Sequence, residues 1–341
     1  MSIRVVLPLL VTLVVPAAAI AQEPPGPRAS KTELVRRLGA VLDSLASRDA
    51  FAGVVVLATG GKTVFGRAYG MADRTSGRPN DLETAFNLGS INKVFTATAI
   101  RQLANAGKLD LDSTVGRYWP DYPNAAVAKR VTLRELLDHR SGIGGNVFGI
   151  PAGGTRHDIR RLRDYLPLFV NDPLEFEPGS RVQYSNAGYV VLGLLVERLS
   201  GEDYYEYVRR HVYDPAGMTA TVHWAIDSLP PNTALGYTHG PPPATGPLAV
   251  NSDLLPGRGS SAGGGYSTAP DLLKFLQALR SARVPGGPPA GLGIAGGAPG
   301  VNAVVEGALP GEYDLVVLAN LDPPAAERIA RMVRGWLGAR D

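Results

Sequence analysis

Thr84-Ala85-Phe86-Asn87-Leu88-Gly89-Ser90-Ile91-Asn92-Lys93 is the stretch from which the rest of the chain can be read. Gly89 precedes a run, Val94 and Phe95 through Leu103 and Ala104, whose apolar spacing predicts a helix over Ile91 to Ala106. Side chains three apart on a helix lie one turn above another, so the Lys93 amine can reach the Ser90 hydroxyl. Ser90 falls in the first turn, where unpaired N–H groups and the positive dipole end favour a developing oxyanion. Burial disfavours the charged amine and would let Lys93 accept the hydroxyl proton. Alone, Ser-x-x-Lys is a weak signal, better explained by a surface serine beside a surface lysine.

Tyr184-Ser185-Asn186 supplies a second set of polar groups. It lies between the Pro178-Gly179 turn and the next helical run, a loop position suited to projecting side chains into a cleft. An ammonium nearby would lower the Tyr184 phenol and let it pass a proton to a leaving group, while the Asn186 amide could bond Lys93 and a substrate carbonyl. A packed tyrosine followed by an N-capping serine or asparagine explains the tripeptide as well.

Outward from these residues, both chain ends alternate helix and strand. Ser30-Lys31-Thr32-Glu33 reads as a capping box before Leu34, Leu38, Val41, Leu42 and Leu45 at helical spacing. Gly53 to Ala58, Gly60-Gly61 and Thr63 to Tyr69 then read as a β-hairpin. Val301 to Val305 and Tyr313 to Ala319 read as two more strands, with Asp322-Pro323 capping a last helix that carries Ile329, Ala330, Val333 and Trp336. The middle is mostly helical, at Leu133 to Asp138, Ala187 to Leu199, Tyr204 to Val212 and Ala269 to Ser281. The expected class is therefore α/β (α+β), an antiparallel sheet built from both chain ends and flanked by helices. Residues 30–88 and 263–341 form this sheet domain, residues 89–262 a mostly helical inserted domain, and a pocket is expected in the cleft between them.

The 341 residues, 45% hydrophobic and 19% charged, suit a folded domain with a sizeable core, and 41 Gly with 28 Pro read as turn punctuation. Arg4 and the apolar run to Ile20, ending in Ala19-Ile20-Ala21, read as a secretory signal over 1–21, followed by a Pro-rich leader over 22–29. The expected location is periplasmic or secreted, with no stable membrane span once the signal is cleaved after Ala21. Cleavage removes Arg4 alone among charged residues, leaving 33 Lys and Arg against 31 Asp and Glu. Asp158 and Asp164 interrupt the cluster Arg156, Arg160, Arg161 and Arg163, so nucleic acid is not an expected partner.

Zero cysteines exclude disulfides, thiol nucleophiles and thiolate metal sites. The five histidines, His139, His157, His211, His223 and His239, have no zinc-binding spacing, and neither a metal nor a cofactor is expected. Gly259-Ser260-Ser261-Ala262-Gly263 matches a Gly-x-Ser-x-Gly elbow, but that fold requires a histidine after the serine and every histidine precedes Ser261. The segment reads instead as a Gly-rich turn lining the cleft.

Five segments share the order of one family's motifs: Thr84 to Lys93; Leu136-Leu137-Asp138-His139-Arg140-Ser141-Gly142; Glu177-Pro178-Gly179 with Tyr184 to Tyr189; Pro215 to Thr219; and Ala262 to Ser267. Together they resemble the serine β-lactamase-related family, which includes class C β-lactamases, DD-peptidases and β-lactamase-like esterases, over nearly all of the mature chain. Enzymes of that superfamily combine Ser-x-x-Lys with companion motifs further along the chain. The resemblance implies a β-lactamase/transpeptidase-like fold, Ser90 as acylated nucleophile, Lys93 and Tyr184 as general base and acid, and Asn186 as a substrate-positioning group. It implies a structural role for His139.

The family's third motif, a basic residue followed by a small residue and Gly, aligns with Gly293-Ile294-Ala295-Gly296-Gly297-Ala298-Pro299-Gly300. Ile294 takes the place of the cation, while the Gly297 N–H could still complete an oxyanion hole with that of Ser90. The connection from Ala282 to Gly291 is short for the family, so part of the sheet or pocket wall is expected to be missing. The implied substrates are small esters, amides or β-lactams, with peptidoglycan fragments a further partner, and esters preferred because they need no carboxylate anchor. A β-lactamase or D-Ala-D-Ala carboxypeptidase, and a decayed binding module without catalysis, remain the alternatives.

Overall fold

In the computed structural model, residues 28–240, 245–288 and 291–339 are described; the signal segment and most of the Pro-rich leader lie outside them. Helix α1 (Lys31–Ala46) starts where Ser30 accepts the Glu33 N–H at its side chain, satisfying one of the open donors of the first turn. The hairpin β1 (Gly53–Thr59) and β2 (Lys62–Tyr69) turns at Gly60-Gly61, both at positive φ. Three strands follow from the other end of the chain: β3 (Gly293–Ala298), β4 (Val301–Leu309) and β5 (Tyr313–Ala319). Their order is β2-β1-β5-β4-β3, antiparallel throughout, with Gly53 opposite Ala319 at the centre and Asn302 opposite Gly297 at the edge.

Alternation along these strands sorts side chains onto two faces. Val55, Leu57, Val304, Leu315 and Val317 pack against Leu34, Leu38 and Leu42 of α1 and Ile329, Ala330 and Val333 of α7 (Ala325–Leu337). Val54, Val56, Ala303, Val305, Val316 and Leu318 join a larger core with α2 (Asn92–Asn105) and α6 (Ala269–Arg280), continuous with α4 (Asn186–Ser200) and α5 (Tyr204–Val208). Each fully buried Leu or Val contributes roughly 1.5–3 kcal/mol. The core thus runs without a break from the sheet into the helical layer, and α3 (Leu133–Leu137), held by a Thr132–Glu135 capping box, packs on α4.

One expectation changes. Asp322 does not cap α7, which begins after Pro324 without a side-chain cap; its carboxylate instead accepts the N–H groups of Gly300 and His239, 2.7 and 2.8 Å away. Short helices at Val115–Tyr118, Ala125–Arg130 and Leu162–Tyr165 add to the helical layer. Each is too brief to show a 3.6-residue period. Among the described residues, no helix is long and apolar enough to cross a membrane.

Candidate active site

Ser90 sits in a 3-10 turn, Gly89–Ile91, directly before α2. Gly89 holds φ +50°, and its N–H is fixed by the Asn87 side chain at 2.9 Å. A Cβ on Gly89 would lie 3.0 Å from the Gly297 nitrogen, and one on Gly296 would overlap the Leu88 carbonyl and come within 2.9 Å of the Ser90 nitrogen. The edge strand β3 therefore reaches the serine turn only because two glycines face each other there. Below, the Phe86–Asn87 pair bonds to Tyr266–Ser267, and the Asn92 side chain accepts the Gly265 N–H at 2.8 Å. These contacts bring Ala262 to Gly264 under the turn.

Lys93 is buried at 5% exposure, and its Nζ meets three oxygens: Ala262 O at 2.5 Å, Asn186 Oδ1 at 2.7 Å and Ser90 Oγ at 3.3 Å. Among the described residues no acid pairs with it, and burial pulls its pKa from 10.5 down to about 7. Tyr184 Oη donates to Ser90 Oγ at 2.5 Å, and its ring lies 4.6 Å from the Lys93 amine. The expectation that the ammonium lowers this phenol is corrected. Burial acts first and raises the Tyr184 pKa above 10, the Ser90 hydrogen bond offsetting only part of it. An amine with a pKa of about 7 has lost its charge before a phenol titrates, so Lys93 does not pull Tyr184 down.

His139, at φ +56°, stacks between the rings of Tyr184 and Tyr189, with centroids 4.6 and 5.0 Å away, and its Nδ1 accepts the Ser185 N–H at 3.2 Å. Burial, then the Lys93 charge, pushes its pKa down to about 4, so the ring is neutral and holds Tyr184 in place. Ser261 is sealed, its hydroxyl bonded to Tyr189 O at 2.8 Å. Gly259, Ser260, Ala262 and Gly263 around it do line the cleft.

That cleft, about 670 Å³, has Ser90, Asn186 and Gly297 on its wall and is otherwise mostly apolar, with Phe148, Trp224, Ile226, Leu255 and Val301. A second cavity of about 510 Å³ adjoins it across Ile226, Leu255 and Tyr266. Ile294 packs against the core, and strand β3 carries no cation. Among the described residues, no three His, Asp or Glu side chains form a metal-binding group. Sequence reasoning missed the Ala262 carbonyl, a backbone atom, and Arg258, a cation on the cleft wall that belongs to no motif.

An antiparallel sheet from both chain ends, with a helical layer and a Ser-Lys-Tyr cluster at the sheet's edge, defines the β-lactamase/transpeptidase-like class. A family model described as Beta-lactamase matches residues 33–327, and the chain belongs to this family of β-lactamase-fold hydrolases. Esterase EstB of Burkholderia gladioli is 34% identical over 280 residues, 73% of this chain and 70% of the esterase. Penicillin-binding protein 4 of Amycolatopsis lactamdurans is 31% identical over 214 residues, 62% of this chain and 54% of that protein. The crystal structure of a penicillin-binding protein from Bacillus halodurans aligns at 31% identity with a TM-score of 0.73, over 85% of this chain and 98% of that one. Against two further relatives, from Bacillus subtilis (strain 168), the match spans only 55% and 41% of their length.

Proposed function

We propose that the protein is an exported serine esterase acting on small carboxylic esters through an acyl-enzyme on Ser90. The observation that carries this reading is the pair of contacts on the Ser90 hydroxyl, from Tyr184 Oη at 2.5 Å and Lys93 Nζ at 3.3 Å, on the wall of an apolar cleft. Neutral Lys93 has two N–H bonds for Ala262 O and Asn186 Oδ1, and its lone pair then faces the serine O–H. Ser90 Oγ attacks the ester carbonyl as Lys93 takes its proton. The carbonyl oxygen becomes an oxyanion between the Ser90 and Gly297 N–H groups. The leaving alkoxide departs with a proton from Tyr184, which is replenished from Lys93; water then repeats the sequence to release the acid. The pKa directions favour this division, since an amine near 7 suits a base and a phenol held above 10 stays a donor.

The absence of a cation on β3 favours esters that do not rely on a carboxylate anchor at that edge. Similarity to the esterase EstB supports the same direction. The leader's sequence supports export to the periplasm or beyond. Rates on p-nitrophenyl butyrate and on a chromogenic cephalosporin test the substrate class, with the ester expected to turn over faster. Faster cephalosporin hydrolysis would move the reading to β-lactamase or D-Ala-D-Ala carboxypeptidase. A fluorophosphonate that fails to modify Ser90 would favour the decayed binding module.

A further inference from the structure

Among the described residues that line the cleft, Arg258 is the one Lys or Arg, and no Asp or Glu accompanies it. Its backbone is pinned on both sides: its N–H donates to Ile159 O at 2.9 Å, and its carbonyl accepts from Tyr165 Oη at 2.6 Å. The side chain is fixed as well. Nε donates to His223 O at 2.7 Å, and the guanidinium carbon stands 3.6 Å from the centre of the Tyr205 ring. This stacking holds the plane of the group without neutralising it. Among the described residues no carboxylate forms an ion pair with Arg258, and its two outer nitrogens have neither a protein partner nor full burial. The nearby His223 ring is neutral, driven down to about 3 by burial and then by the Arg258 charge. A positioned, unpaired guanidinium in an apolar cleft is a receptor for a planar anion.

We propose that Arg258 binds a carboxylate of the substrate, on the segment formed by Leu255, Pro256 and Gly259 and not on strand β3. This rests on the esterase reading and names its substrate class: esters that carry an acid group as well as the scissile bond. The family position for a cation holds Ile294, so carboxylate recognition in this chain comes from a different element. The acid could belong to the acyl part or to the leaving group, and two substrate pairs separate these sources. One pair is p-nitrophenyl hemiglutarate against p-nitrophenyl pentanoate; the other is 3-carboxyphenyl pentanoate against phenyl pentanoate.

The readout is the ratio of kcat/KM for acid over neutral ester, in wild type and in R258Q and R258K. In at least one pair the wild-type ratio should favour the acid, and R258Q should lower it by about tenfold or more, with R258K retaining more of it. A purely structural arginine would lower both rates together and leave the ratio alone, which would overturn the proposal, as would a wild-type ratio at or below one in both pairs. Those results leave the esterase reading standing. If no ester is turned over, that reading falls, and calorimetric titration with glutarate decides the arginine separately. Binding weakened about tenfold in R258Q supports the site; equal or undetectable binding in both proteins overturns it.

Discussion

The sheet's two faces are covered by helices of opposite character. On one, the buried residues of α1 (Leu34, Leu38, Gly39, Leu42, Leu45) and of α7 (Ala326, Ile329, Ala330, Val333, Leu337) are all apolar. On the other, α2 buries Asn92, Lys93, Thr96 and Thr98 among its apolar residues. Each of these polar side chains has a named partner, including Ala262 O for Lys93, Ser261 O for Thr96 and Val94 O for Thr98. One face is joined mainly by apolar packing; the other, part of the larger core, gives up some stability to bury an amine. The shift of Lys93 from 10.5 to about 7 corresponds to roughly 4–5 kcal/mol of disfavoured ammonium.

Substitutions on the two faces should therefore separate activity from stability. Lys93→Met should cut ester turnover by about 10²–10⁴-fold without lowering the melting temperature, because it removes an amine that folding must desolvate. A large drop in melting temperature alongside the lost activity would erase the distinction between the faces. Leu38→Ala on the α1 face should do the reverse, costing about 2–5 kcal/mol in denaturant unfolding with kcat/KM unchanged for the folded fraction. A pH profile sharpens the contrast further. Only the neutral amine is a base, so ester kcat/KM should climb about tenfold per pH unit below 7 and level off above it; a flat profile from about pH 5.5 to 8.5 would remove Lys93 from the role of base. Stability follows the same proton. The unfolded chain binds it up to about pH 10.5 and the folded chain only to about 7, so this group makes the fold more stable as pH rises across that window.

What the sequence made legible is what local spacing controls. Ser90 and Lys93 meet because they are one helical turn apart, and the hairpin at Gly60-Gly61 follows from two residues that tolerate positive φ. The partners that complete the site come from distant segments and are often backbone atoms, which leave no residue signature. The Ala262 carbonyl is one case, and the fit of Gly296 against Leu88 is another. The direction of the Tyr184 shift escapes a reading from sequence because charge can be inferred from nearby motifs, whereas desolvation requires knowing the packing. Arg258 escapes it too, because its stacking partner, Tyr205, belongs to a helix far away in the chain.

The close approach of Gly296 to the Ser90 turn joins segments near opposite ends of the chain. Until the last strands have docked, the Ser90 turn lacks the Gly296–Gly297 edge that closes against it. A chain cut short before β3 therefore leaves that turn open on one side, and the site is complete only in a polypeptide that reaches its last strands.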